Sequence, residues 1–157
     1  MASDGSRYTK PQLNHLIVWA TDRRAAAQAF ADVMGMGPPT DHGHFTQVET
    51  GNGVMLDFAD TNREPSGMHL AFLVSEREFD EIFDRITERA MPYWADPRRT
   101  EPDQINHHDG GRGVYFGDSH TNVGWEIITR PYGSGPRGEQ TGMNKTNPVQ
   151  AERERAR

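Results

Sequence analysis

Two stretches of the chain combine a run of apolar residues with a signal for the start of a helix. Residues 14–22 read NHLIVWATD and residues 68–76 read MHLAFLVSE. Each run is apolar or alternating over five or six positions, which is typical of a half-buried or fully buried β-strand. A hydroxyl residue suited to capping a helix then follows, Thr21 in the first stretch and Ser75 in the second. The pattern predicts two similar strand–helix units.

The residues after each strand predict an amphipathic helix. Ser75 and Glu78 have the spacing of a capping box. Apolar residues then recur at i, i+3, i+4 and i+7: Phe79, Ile82, Phe83 and Ile86. The first helix, at about 22–34, is alanine-rich and is predicted to end at Gly35. We expect each helix to pack its apolar face against a sheet.

The two halves correspond beyond their helices. Two strands are predicted after each helix: 44–50 and 53–59 in the first half, 113–117 and 123–129 in the second. His15 matches His69, and Asp57 matches Glu126; the acids are further apart along the chain than the histidines, so the second half carries an insertion. We place most of it in the segment 92–111, whose glycines and prolines predict a loop. The matched histidine and acid favour internal duplication over chance similarity.

Composition sets the domain boundaries. The chain has 157 residues, 34% of them hydrophobic, and a formal net charge of −6. Residues 134–157 contribute only four hydrophobic residues and predict a polar, disordered tail, while 1–11 predict a flexible head. Residues 12–133 then form one folded domain, with halves at about 12–66 and 67–133.

Charge and cysteine content narrow the class of protein. Residues 12–133 carry ten arginines, no lysine and nineteen acidic residues, a net charge of −9 that argues against nucleic acid or an anionic membrane as partner. The absence of cysteine excludes disulfides, a thiolate nucleophile and cysteine-ligated metal. Without an apolar run of about 20 residues or a signal-peptide core, a soluble cytoplasmic protein is expected.

Three residues within apolar strands have the chemistry of metal ligands. His15 and His69 lie near the starts of matched strands, and Glu126 lies among bulky apolar residues. An ionised carboxylate there is costly to bury unless it is paired or bound to a metal. Two imidazoles and one carboxylate form a facial triad that suits Fe(II), Mn, Zn or Ni. Hydrogen-bonded core histidines and a strand-edge glutamate would give the same pattern, and the residues alone leave both interpretations open.

The ordered set of residues resembles the vicinal oxygen chelate superfamily, which includes glyoxalases, extradiol dioxygenases and bleomycin- and fosfomycin-resistance proteins. Beside the two histidines, the stretches 13–18, 113–118 and 126–132 carry the resemblance, which spans about 12–133. It implies an α+β fold of two βαβββ modules that form a curved mixed sheet around a metal site. It also implies that His15, His69 and Glu126 are the ligands of a divalent metal, and that the protein is a homodimer. The turn 118–124 is one residue longer than is common in the family, which affects the register of the last strand.

The resemblance favours an enzyme that acts on a small organic molecule, most simply an Fe(II)-dependent dioxygenase. His108 and Tyr115 are candidate proton donors. Asp57 occupies roughly the position of a fourth ligand in glyoxalases, and we expect it to act beside the metal ligands rather than as one. A glyoxalase-type isomerase or lyase is the alternative, followed by a non-catalytic drug-binding protein, which the intact ligand set disfavours. A fosfomycin-type transferase is disfavoured because residues 12–133 are acidic and lack lysine.

Overall fold

The computed structural model of the chain describes residues 10–135. It contains two compact units, one formed by residues up to 68 together with 118–123, and one formed by 69–117 together with the residues from 124 onward. The predicted head, 1–11, and the predicted tail, 134–157, lie outside the described residues except for two residues each.

The first unit is a four-stranded sheet with one helix. In chain order its elements are β1 (His15–Ala20), α1 (Arg23–Met34), β2 (Thr40–His42), β3 (Phe45–Glu49) and β4 (Met55–Asp60). The strand order across the sheet is β1-β4-β3-β2. β1 pairs with β4 in parallel, and the remaining pairs are antiparallel. A parallel pair needs a crossover connection, which α1 and the two intervening strands supply.

The apolar face of α1 forms the core of this unit. The side chain of Asp22 accepts hydrogen bonds from the backbone N–H groups of Arg24 and Ala25, so Asp22 caps the helix rather than Thr21. The helix ends at Gly35, whose φ of 67° is left-handed, as is usual at this position. Phe30 is buried, with its ring 5.9 Å from the ring of Phe58 on β4.

The second unit repeats this order of elements. It contains β5 (Met68–Leu73), α2 (Glu76–Glu88), β6 (Tyr93–Trp94), β7 (Gly113–Phe116) and β8 (Val123–Ile128), with strand order β5-β8-β7-β6. The capping box of α2 is present: Ser75 and Glu78 each bond the other's backbone N–H. Three of the four predicted apolar positions of α2 are buried: Phe79, Ile82 and Ile86.

Both units therefore have the order βαβββ, and the predicted α+β fold with two such modules is confirmed. The predicted loop 92–111 is wrong at its start, where Tyr93 and Trp94 pair with β7, and a short 3₁₀ turn occupies His108–Gly110. The strand β2 was also not predicted. Neither helix of residues 10–135 is long and apolar enough to cross a membrane.

Candidate metal centre

The register of β8 decides where the Glu126 side chain points. Neighbouring residues on a strand face opposite sides of the sheet, so Trp125 and Ile127 share one face and Glu126 takes the other. Glu126 pairs with Tyr115 across the β7–β8 ladder. The long turn before β8 is closed by Asp118, whose carboxylate accepts the backbone N–H groups of His120 and Thr121, both at 2.7 Å. Asp118 thus closes the turn, and Glu126 lies on the face opposite the two large apolar side chains.

His69 and Glu126 meet on that face. His69 Nε2 lies 3.0 Å from Glu126 Oε2. The Glu126 side chain is only 1% exposed, whereas that of His69 is 48% exposed. The pair therefore combines a carboxylate shielded from water with an imidazole that solvent and small molecules can reach.

The other nitrogen of His69 fixes where its proton lies. Nδ1 is 3.0 Å from the backbone carbonyl oxygen of Gly124. A carbonyl oxygen only accepts hydrogen bonds, so Nδ1 carries a proton, and in a neutral ring Nε2 then carries the lone pair. That lone pair faces a carboxylate oxygen, which is also an acceptor. Either a second proton on the ring or a cation must lie between them.

A pair of tyrosines continues from Glu126. The Tyr132 hydroxyl donates to Glu126, at 2.6 Å from Oε1 and 2.5 Å from Oε2. The Tyr115 hydroxyl lies 3.2 Å from that of Tyr132. Because the single proton of Tyr132 is directed at the carboxylate, Tyr115 donates to Tyr132. The three side chains form a relay from Tyr115 through Tyr132 to Glu126.

Both tyrosines keep their protons in this setting. Burial raises the pKa of Tyr115, and its hydrogen bond to Tyr132 raises it further. Burial also raises the pKa of Tyr132, followed by its hydrogen bond to the Glu126 carboxylate. A phenolate beside a buried carboxylate would place two negative charges in contact. The tyrosines are therefore hydrogen-bond donors near neutral pH.

Sequence reasoning missed Tyr132 as a site residue. It lies beyond the end of β8, after Pro131, and no periodicity marks it. Its position depends on Asp109, whose carboxylate accepts the backbone N–H groups of Gly133 and Gly135, each at 3.1 Å. Asp109 thereby holds the segment that carries Tyr132. The only signal in the sequence was the residue's inclusion in the stretch that resembles the family.

His108 precedes Asp109 in the 3₁₀ turn, and its side chain is exposed. Its backbone N–H is 3.4 Å from the side-chain oxygen of Asn106. The predicted role of His108 as a proton donor stays a prediction. Tyr115, the other predicted donor, is 4% exposed, and its ring centroid is 5.7 Å from that of His69.

The first unit holds the other two predicted residues. His15 is exposed at the start of β1, with Nδ1 2.9 Å from Asn14 Oδ1. Asp57 is 6% exposed and accepts a 2.7 Å hydrogen bond from Gln47 Nε2. Since His15 pairs with Met55 in the β1–β4 ladder, and side chains alternate along β4, His15 and Asp57 project from the same face of their sheet.

The structure thus brings together two of the three predicted ligands, His69 and Glu126, with Tyr115 beside them. Within residues 10–135, no group of three or more histidine and acidic side chains is close enough to hold a metal ion. The third ligand, His15, belongs to the first unit and stays a prediction.

Two βαβββ units and an exposed histidine that contacts a buried glutamate define a class: two-module α+β proteins with a candidate metal centre. Among solved structures, the chain is 50% identical to one named Oxidase ChaP-H2, with a TM-score of 0.77, covering 80% of this chain and 98% of that one. It is 48% identical to Oxidase ChaP-H1, with a TM-score of 0.75, covering 79% and 99%.

More distant matches show the fold alone. The glyoxalase/dioxygenase from Nostoc punctiforme is 20% identical, with a TM-score of 0.57, covering 83% of this chain and 96% of that one. The fosfomycin resistance protein FosX from Mesorhizobium loti is 16% identical, with a TM-score of 0.55, covering 80% and 95%. No family model and no curated protein matches the chain. The chain belongs to the vicinal oxygen chelate superfamily.

Proposed function

We propose that this protein is a metal-dependent oxidative enzyme that acts on a small organic molecule. Its metal is Fe(II), held by His69 and Glu126 with His15 as the third ligand. The observation that carries the proposal is the 3.0 Å contact of His69 Nε2 with Glu126 Oε2, between which a second ring proton or a cation must lie. The names of the two relatives at 50% and 48% identity, both oxidases, support the oxidative class.

The donor set fits a divalent ion. Protein ligands of nitrogen and oxygen type lie about 2.1 Å from such an ion, and two at a right angle then lie about 3.0 Å apart. The spacing between His69 and Glu126 has this value. Histidines that bind metals also commonly donate their second N–H to a backbone carbonyl, as His69 does to Gly124. An iron ion in a two-histidine, one-carboxylate set supplies redox chemistry and leaves coordination positions open for substrate.

The chain's own residues then have separate tasks. Gly124 orients His69, and Tyr132 orients Glu126 by directing its one hydroxyl proton at the carboxylate, with the hydroxyl close to both oxygens. Tyr115 lies beside His69 and retains its proton, which it donates to Tyr132, so it supports the Glu126 carboxylate through Tyr132. The buried carboxylate supplies the negative charge that a cation requires.

The His69→Ala variant tests the metal site. The wild-type protein, purified without chelator, should carry about one iron per site by elemental analysis, and His69→Ala should carry none. His44→Ala is the matched control: His44 is exposed in a turn of the first unit and should not affect the metal content. Unchanged metal in His69→Ala would contradict the ligand assignment. The same measurement on His15→Ala tests the third ligand.

Oxygen dependence tests the oxidative class. An oxygenase turns over only when dioxygen is present. A glyoxalase-type lyase would hold Zn or Ni and turn over without oxygen, and a drug-binding protein would bind its ligand unchanged after metal removal. We further propose that the protein is a homodimer, and light scattering on the purified chain would test this.

A further inference from the structure

A row of paired residues leads from Glu126 to the edge of the second sheet. Glu126 on β8 pairs with Tyr115 on β7, and Tyr115 pairs with Trp94 on β6. Directly paired residues point to the same face of a sheet, with their Cβ atoms about 4.5–5.5 Å apart. Trp94 therefore lies on the face that carries His69 and Glu126. Two strand spacings put it about 10 Å from Glu126.

A cation lies at the far end of this row. The guanidinium carbon of Arg99 is 4.8 Å from the centroid of the Trp94 ring. Within residues 10–135, no carboxylate forms a salt bridge with Arg99, although acidic residues greatly outnumber basic ones there. A guanidinium that lies over an indole keeps N–H donors at its edge free. Arg99 can therefore still bind an acidic oxygen.

The turn that presents Arg99 is held in place by Asp96. The Asp96 carboxylate accepts the backbone N–H groups of Arg98 at 3.1 Å and of Thr100 and Glu101 at 2.8 Å each. Arg99 itself has a φ of 60°, a left-handed conformation that is uncommon for residues other than glycine. The hydrogen bonds on either side of Arg99 stabilise the turn and help to offset this cost.

We propose that Trp94 and Arg99 form a substrate subsite on the face that carries His69 and Glu126. The ligand is a planar conjugated molecule that carries an acidic oxygen, such as a carboxylate or a phenolate. The half-buried ring of Trp94 provides a flat apolar surface, and Arg99 provides the charge that binds the acidic group. Its role as a substrate subsite rests on the proposed function, whereas the binding of such a ligand does not.

Charge explains why this subsite would select for an acid. Residues 12–133 carry a net charge of −9, so an anion is repelled by most of this surface. One unpaired guanidinium beside an aromatic surface reverses that preference locally. A neutral ligand of the same shape gains only the apolar contact, and the ratio of the two affinities therefore measures the contribution of Arg99.

The test compares 2-naphthoate with its neutral isostere, 2-naphthamide, by calorimetric titration of the full-length protein. The wild type should bind the acid about tenfold more tightly, since one charged hydrogen-bonding contact has this size. Arg99→Gln should reduce the ratio to about one. Arg98→Gln is the matched control, because Arg98 is the exposed neighbour in the same turn, and it should leave the ratio unchanged.

An unchanged ratio in Arg99→Gln, an equal loss in Arg98→Gln, or no preference in the wild type would overturn the subsite. Thermal melts of both variants check that the fold is retained. Repeating the titration after treatment with chelator separates this proposal from the metal site. If the protein loses its metal and still prefers the acid to the amide, the subsite is supported independently of the metal. If the protein has its full metal content but the affinity ratio does not depend on Arg99, the subsite is refuted and the metal site is not.

Discussion

The hydroxyl of Tyr132 offers a sharp test of how the candidate metal centre is held together. Tyr132→Phe removes one oxygen and leaves the ring, so the change isolates the hydrogen bonds to Glu126, at 2.6 and 2.5 Å. A hydrogen bond to a charged group contributes about 1.5–3 kcal/mol. We expect the lower end, because the residue is 48% exposed and water can partly replace its hydroxyl. The unfolding free energy of the metal-free protein should therefore fall by about 1.5 kcal/mol.

The same change should weaken metal binding. Removing a partner that orients a metal ligand commonly costs about 10–100-fold in affinity. Urea unfolding of the chelator-treated protein measures the first effect, and titration with Co(II) measures the second. Tyr93→Phe is the matched control, since Tyr93 lies in the same unit and packs its ring against Phe83 at 5.2 Å. If Tyr132→Phe matches the control in both stability and Co(II) affinity, the relay through Tyr132 does not support Glu126.

Two further predictions concern the residues that position these elements. Asp109→Asn should destabilise the protein by about 1 kcal/mol, because an amide oxygen is a weaker acceptor than a carboxylate. It should also speed hydrogen exchange at the Gly133 and Gly135 amides, and unchanged exchange would show that Asp109 does not hold this segment. The hydrogen bond from the Ala25 backbone N–H lowers the pKa of Asp22 in the folded state. The ionised Asp22 carboxylate therefore stabilises the fold fully above the unfolded pKa near 3.8, and this stabilisation is lost as the pH falls through the lower, folded pKa. Asp22→Asn should therefore lose less stability than the wild type between pH 5 and pH 3 in urea titrations, and equal losses would refute this.

The helices could be predicted from local sequence because their signals are local. The capping box and the apolar spacing of α2 lie within a few turns of helix, and both are present in the structure. The predicted cap of α1, Thr21, was wrong, because Thr21 and Asp22 are both good caps and only the backbone conformation decides between them. β2 and β6 escaped prediction because strands of three and two residues are too short to show a period of two.

The candidate site was harder to read from the sequence. Residue type and the repeat identified His69 and Glu126, but their approach to 3.0 Å depends on β5 lying next to β8. Tyr132 could not be found, because a carboxylate far earlier in the chain, at Asp109, holds the segment that carries it. The position of Trp94 and Arg99 on the face that carries Glu126 could not be predicted either, because it follows from strand pairing and not from sequence spacing.

The carbonyl of Gly124 has a consequence for how the protein can change during evolution. Every amino acid has a backbone carbonyl, so no single substitution at position 124 deletes the acceptor that holds His69 Nδ1. Only a slip of β8 against its neighbour would do so, and that would also move Glu126 to the other face. The contact of Tyr132 with Glu126, by contrast, disappears with one replacement by phenylalanine. Substitution at position 124 should therefore leave the orientation of the histidine intact, whereas the support of the carboxylate depends on keeping one particular side chain.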